Sequence, residues 1–384
     1  MQVTQISIGR FHHFHLARQL EKRMMLEAIY TGYPHFKLKD EQGIPRDKIK
    51  TFPWLHTPFM MRGKLGLDKW EWLNSEWAWL AAGSLDRYVA KQIKEKRFLV
   101  ALSGMGLHAG RVTQKMGGKY ICDRGSSHIV FQNEVLKEEH KIWKLPFHEI
   151  DKRIIGKEEA EYEQADRITV PSEFVRRSFL SKGVPAEKIS KVIYGARLER
   201  FSKQGSPDIS KFVVLWVGGV SIRKGFLYLL EAFNQLKHPN KELKVIGPMS
   251  PEINGLIHGR ISSNVKFLGA VSNDKLPELY STATVFVLPS LEEGLAMVQG
   301  EALACGCPII SSTNSGAEDL ITNGKEGFIV PIRSSSAILE RFQQLVDTPT
   351  LRETLSQAAL LKVKEMGGWD TYGENYVSLL KGMV

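Results

Sequence analysis

Short apolar runs alternate with stretches of helical period along most of this chain. From Val3 the order is VTQISIG, HLARQLEKR and LEAIYTG: a strand, a helix and a strand. FLVALSG (Phe98 to Gly104) leads into HAGRVTQKMGG and back to KYICD, and RITVPS (Arg167 to Ser172) leads into EFVRRSFLSKG. A polar stretch, SKQGSPDIS, then reads as a linker. Beyond it KFVVLWVGG, ELKVIG, NVKFLG, ATVFVLPS, CPIISS and GFIVP are strand candidates with helical segments between them. Runs this continuous have no wet face, which is the pattern of parallel strands joined by crossover helices. Both halves are therefore expected to be α/β layers. At 384 residues the chain exceeds the roughly 250–300 at which one core stops growing, so two domains are expected.

Hydrophobic residues at 43% and charged ones at 24% exclude a disordered or collagen-like chain. The apolar runs, such as FVVLWVGGV (Phe212 to Val220), fall far short of the roughly 20 residues that cross a bilayer. No basic segment followed by an apolar one opens the chain as in a secretory signal, so a cytoplasmic protein is expected. Cys122, Cys305 and Cys307 are too few for a disulfide framework. Cys305 and Cys307 have no ligand partners nearby in sequence and read as buried thiols at a helix end. No metal is expected.

Charge separates the two halves. Residues 1–205 hold 36 Lys and Arg against 24 Asp and Glu, whereas residues 206–384 hold 16 against 18, so the whole excess of +10 comes from the first half. A basic half suits an anionic membrane surface, a phosphorylated acceptor or nucleic acid; a solvated basic surface is the plainer reading. Between Trp54 and Trp79 lie five of the eight tryptophans, with Met60, Met61, Arg62, Lys64 and Lys69 among them. Trp with basic residues favours a membrane interface, but Trp70, Leu73 and Trp77 share helical spacing, and packing on the domain core is the favoured expectation.

The candidate chemistry lies in the second half. FVVLWVGG runs into VSIRKG and a helical FLYLLEAFNQL. Gly218 and Gly219 let backbone approach an anion, a helix N-terminus offers free N–H groups, and Arg223 and Lys224 neutralise charge, which together hold a pyrophosphate. In VFVLPSLEEGLAMVQGEALACGCPIISS, Glu293 ends a loop and Glu301 follows eight residues later inside a helix. Gly294, Leu295, Ala296 and Met297 are expected to open that helix and present further N–H donors. A carboxylate such as Glu301 accepts from both hydroxyls of a ribose, and Glu293, nearer the loop, reaches a sugar on the diphosphate.

These residues carry a resemblance. EGLAMVQGEALACGCPII is similar to the E-x7-E region of the retaining glycosyltransferases of family 4, and NSGAEDLI to the turn that follows it. EYEQADRITVPSEFVRR and VIYGARLERF resemble the end of that family's first domain, and WDTYGENYVSLL its helix crossing back. Residues 1–150 resemble it in layout only. The resemblance implies the GT-B fold, two Rossmann-like domains with parallel sheets facing across a cleft: an acceptor domain over residues 1–205, a nucleotide-sugar domain over 206–365, and a final helix, 366–384, completing the first. It implies transfer of a sugar from a nucleoside diphosphate donor, with retention and no cofactor. Lys224 would hold the diphosphate, Glu301 the ribose, and Glu293 would lie at the donor sugar. Two departures stand out. The family arginine after the turn's first glycine is replaced by Gly219, leaving Arg223 to supply that charge, and Gly9 is followed by Arg10, Phe11, His12 and His13 rather than by a second glycine.

In the first half, CDRGSSHI (Cys122 to Ile129) lies at a strand's C-terminal end, where open α/β sheets bind ligands. Family members place a histidine here against the donor sugar, a role open to His128 or Arg124. His108 at a helix start, and His13 and His15 on the opening helix, are further acceptor-side candidates beside structural readings. After CPIISS, Ser315 and Gly316 are expected in the sugar pocket, with Glu318 there or capping its helix. The expected function is hexosyl transfer from a UDP- or GDP-sugar to a glycan or lipid-linked acceptor at the inner membrane face. A transferase with a small soluble acceptor is the alternative enzyme. A nucleic-acid-binding protein explains the charge but not an E-x7-E helix in the acidic half.

Overall fold

A computed structural model describes residues 1–63, 67, 70–195 and 200–384. Lys64 and Lys69 of the Trp-rich stretch, and residues 196–199 of VIYGARLERF, lie outside these. Among the described residues, thirteen strands form two parallel sheets. The first sheet contains β1 (Val3–Ser7), β2 (Leu26–Thr31), β3 (Ile49–Thr51), β4 (Phe98–Leu102), β5 (Lys119–Asp123), β6 (Arg167–Val170) and β7 (Ile189–Lys191), in the order β3-β2-β1-β4-β5-β6-β7. The second contains β8 (Phe212–Val217), β9 (Lys241–Ile246), β10 (Val265–Gly269), β11 (Val285–Leu288), β12 (Ile309–Ser312) and β13 (Gly327–Val330), in the order β10-β9-β8-β11-β12-β13.

The central strands β1, β8, β11 and β12 are buried along their whole length, as strands covered by helices on both faces must be. Successive residues of β4 feed opposite layers: Leu99 and Ala101 pack toward one face, Phe98 and Val100 toward the other. Two strands escape the sequence pattern. β3 (IKT) and β7 (ISK) are three residues long, sit at the two edges of the first sheet and carry lysine, which blunts an edge against further pairing.

The closing helix Trp369–Lys381 follows the second sheet in sequence but packs on the first. Its Tyr372, Tyr376 and Leu380 join the core beneath the opening helix, Phe11–Lys22. Trp369 stacks on His15 with ring centroids 3.7 Å apart, and a side-chain carbon at Gly373 would stand 2.6 Å from the Gln19 side chain.

The tryptophan-rich stretch corrects an expectation. Helix Glu71–Gln92 does not bury its first aromatic residues: Trp70 is 58% exposed and Trp72 70% exposed, with Trp54, Met60 and Met61 also exposed. Trp77 and Trp79 are half-buried, under Phe59 and Arg153 respectively. Core packing holds for the later part of the helix only. Among the described residues, no helix is long and apolar enough to cross a membrane.

Candidate active site

Both strand orders reverse at one point, between β1 and β4 and between β8 and β11, and open α/β sheets take ligands beyond the C-terminal strand ends at such points. Loops from these ends meet. A Cβ at Gly294 would run into the carbonyl oxygen of Gly125, so the loop after β11 packs directly on the loop after β5.

On the second sheet, β8 ends in Gly218 (φ 136°) and Gly219. The chain passes Arg223 and Lys224 and enters helix Phe226–Gln235 through Gly225, whose φ of 71° and contact with the Pro289 carbonyl admit no side chain. Lys224 folds back over the turn, its Nζ 3.7 Å from where a Cβ of Gly218 would stand. It donates to Glu293 Oε2 at 2.8 Å, while Arg223 Nε donates to Glu292 Oε2 at 2.8 Å and to the Glu292 carbonyl at 3.0 Å. Two neighbouring cations thus pair with two neighbouring carboxylates, with Lys224 over the glycine turn.

The sequence pattern singles out Glu293 and passes over its neighbour. Glu292 is wholly buried and accepts from Ser127 N and Oγ, both at 2.8 Å, and from Gln132 Nε2 at 3.1 Å. Burial works to raise its pKa, but the Arg223 charge and the Ser127 bonds outweigh it and hold the carboxyl below its ordinary value. The doubled Glu in SLEEG is the only local signal, and it does not say which carboxylate turns inward.

Glu301 lies on helix Met297–Ala304, half-buried, and accepts from Tyr280 Oη at 3.3 Å. The helix begins later than expected: Ala296 is its cap, and Gly294 and Leu295 belong to the preceding loop, where the Gly294 carbonyl accepts from Ser172 Oγ at 2.6 Å. Gly316 (φ 73°) packs on this loop; a Cβ there would stand 2.7 Å from the Gly294 carbonyl oxygen and 3.1 Å from Ser172. Ser315 holds the same region, its carbonyl accepting from Gln299 Nε2. Glu318 does not cap its helical turn, whose cap is Gly316. It forms a two-bond ion pair with Arg177 at 2.6 and 2.8 Å, tying the loop after β12 to the first sheet's layer.

The acceptor-side candidates separate. His128 caps helix Ile129–Ile142, its Nδ1 accepting from Val130 N at 3.2 Å, with its ring against Tyr162 and Phe179. Burial, with Arg124 and Lys182 nearby, pushes its pKa down to about 4. Arg124 is buried too, donating to Glu158, Gln132 and the Ser127 carbonyl, so it shapes the loop from within. His108 stands at a helix start whose N–H groups are taken by carboxylates: Asp86 accepts from His108 N and Ala109 N, and Glu161 from Gly104, Gly106 and Leu107. His13 is fully buried beside Asp123. Glu292 and the buried His12–Asp123 pair are not among the candidates that the sequence singles out.

Residues 199–362 match the family described as glycosyl transferases group 1. The matched stretch, under half of the chain, contains the glycine turn, both cations and Glu292, Glu293 and Glu301. Alpha-D-kanosaminyltransferase of Streptomyces kanamyceticus is 28% identical over 46% of this chain and 50% of that protein. The capsular polysaccharide biosynthesis glycosyltransferase CapM of Staphylococcus aureus is 30% identical over 44% and 47%. The chain thus spans about half the length of the curated relatives it matches. Anabaena HepE, solved in complex with UDP, superposes over the whole of both chains with a TM-score of 0.71 at 16% identity. That likeness establishes the fold, which is GT-B.

Proposed function

We propose that this protein is a retaining, metal-independent glycosyltransferase that moves a hexose from a UDP- or GDP-sugar to a hydroxyl of a glycan or lipid-linked acceptor in surface polysaccharide or glycolipid assembly. The observation that carries this reading is the placement of Lys224 over the Gly218-Gly219 turn, with Arg223 beside it, against the loop that bears Glu292 and Glu293 and leads to Glu301. The UDP bound by HepE and the capsular role in CapM's name support the donor class and the pathway type.

In this reading the diphosphate takes Lys224 from Glu293, Arg223 adds charge beside it, and Glu301 accepts from the ribose hydroxyls. Glu293, released, turns to the donor sugar. The acceptor oxygen bonds to the anomeric carbon on the face that the phosphate leaves, and the departing phosphate oxygen takes the acceptor proton. The cations and the N–H groups of the helix that follows the Glu293 loop stabilise the charge growing on that phosphate. Exposed Trp54, Trp70 and Trp72 on the basic half set the acceptor side against an anionic cytoplasmic membrane surface.

Proton NMR of the product tests this directly. The reading expects the donor's anomeric configuration in the first product formed and a rate unchanged by EDTA. Inverted configuration, or activity lost on chelation and restored by a divalent ion, contradicts it.

A further inference from the structure

The first sheet holds a buried histidine–carboxylate pair that the donor site does not use. The loop leaving β1, at the reversal of strand order, enters helix Phe11–Lys22 through Phe11. Its φ of 28° is an outlier for an aromatic residue, and its ring is 61% exposed, so the backbone is held in an unfavourable conformation without burying the side chain. One residue on, His12 is buried, with Nε2 2.6 Å from Oδ2 of Asp123 at the end of β5. His13 Nε2 lies 3.0 Å from the same oxygen, Thr169 Oγ1 donates to the other at 2.6 Å, and Tyr194 stacks on His12 with ring centroids 4.4 Å apart.

Burial works to raise the pKa of Asp123, but His12 and His13 outweigh it and keep the carboxylate ionised. The Asp123 contact takes Nε2 of His12 and leaves Nδ1 on the other edge of the ring. That edge of the ring borders Gly125, where a Cβ would stand 3.3 Å from Cε1 and 3.8 Å from Nδ1. Gly125 is the residue whose carbonyl abuts Gly294, next to Glu293. The free nitrogen therefore lies beside the residue that touches the donor loop.

We propose that His12 receives the acceptor hydroxyl: Nδ1 accepts its hydrogen bond and aims its oxygen at the donor sugar. Asp123 is the positioning residue that fixes the ring. The inference rests on the transferase reading, in which the proton leaves with the phosphate, so His12 orients the hydroxyl and is not consumed.

Water is an acceptor present in every assay, so the test is hydrolysis of whichever of UDP-glucose, GDP-mannose or ADP-glucose most raises the unfolding temperature. His12→Gln, which leaves no polar atom near Nδ1, is expected to lower turnover at saturating donor by roughly 10- to 100-fold while donor affinity stays within about twofold. His12→Asn, which keeps an oxygen near Nδ1, is expected to recover part of the rate, and Asp123→Asn to lose turnover in the same sense. Wild-type turnover in His12→Gln overturns the proposal. So does a parallel loss of donor affinity, which marks a structural role. His12, His13 and Asp123 also bring three potential metal ligands within 4.8 Å of one another. Stoichiometric metal in the purified protein, with turnover lost on its removal, overturns the proposal as well. A wild-type protein that binds none of these donors takes the transferase reading down with it, whereas equal hydrolysis by wild type and His12→Gln removes this inference alone.

Discussion

At the scale of single residues, the site is crowded with side chains that satisfy each other. Lys224 and Glu293 pair at 2.8 Å, so any anion entering the turn competes with a carboxylate already in place. Residues with one chemistry in sequence divide by burial: Glu292 becomes an internal acceptor, Glu293 stays half-buried at the cleft. His128 shows how a titratable group can be structural and still leave a signature. Its folded pKa of about 4 lies below the roughly 6.5 of an unfolded histidine. Above pH 6.5 both states are neutral and the group contributes nothing to the pH dependence. Between pH 6.5 and 4 the unfolded chain binds a proton that the folded chain refuses, so stability falls by up to about 3 kcal/mol on acidification. Asn caps helices without titrating. His128→Asn is therefore expected to match wild type near pH 8 and to show a shallower loss toward pH 4 in thermal unfolding; an unchanged acid slope contradicts the assignment.

At the scale of elements, the central strands are legible in the sequence. Parallel strands covered on both faces write themselves as continuous apolar runs, which is why FVVLWV and VFVL are recognisable, while IKT and ISK, half wet at the sheet edges, are not. The sequence singles out Lys224 and Glu293, which the fold pairs, because a glycine turn and an eight-residue spacing to Glu301 are local patterns. Glu292 is not singled out, because its partner Ser127 is 165 residues away and only the packing of two loops brings them together. Helix starts were misjudged by two or three residues where Gly294 and Leu295 extend the loop. The same packing makes a prediction about Gly294. Gly294→Ala drives a methyl into the Gly125 carbonyl and is expected to cost about 1–3 kcal/mol and to weaken nucleotide binding. Gly255→Ala, in helix Pro251–Ile257 with open space around it, is expected to be neutral or to stabilise by up to about 1 kcal/mol. Calorimetry of both variants checks the contrast, and equal effects would remove the packing argument.

At the scale of the whole molecule, a basic half with exposed tryptophans packs against an acidic half that carries the residues proposed to hold the donor. If those tryptophans meet an anionic surface, the chain is expected to co-sediment with vesicles of phosphatidylglycerol and phosphatidylcholine, less so as salt rises. The double variant Trp70→Ala with Trp72→Ala is expected to lose most of that binding; equal sedimentation of both proteins removes the membrane contact from the account. The central claim is narrower and concerns the cleft: a nucleoside diphosphate sugar sits between the Gly218-Gly219 turn and Glu301. The most direct measurement is thermal unfolding of wild type and Glu301→Ala with UDP, GDP, ADP and their hexose conjugates. A ligand at about 100 times its Kd adds roughly 2.7 kcal/mol, enough to raise Tm by several degrees. The account predicts such a rise with one nucleotide and its sugar, largely lost in Glu301→Ala; no rise with any of them would contradict it.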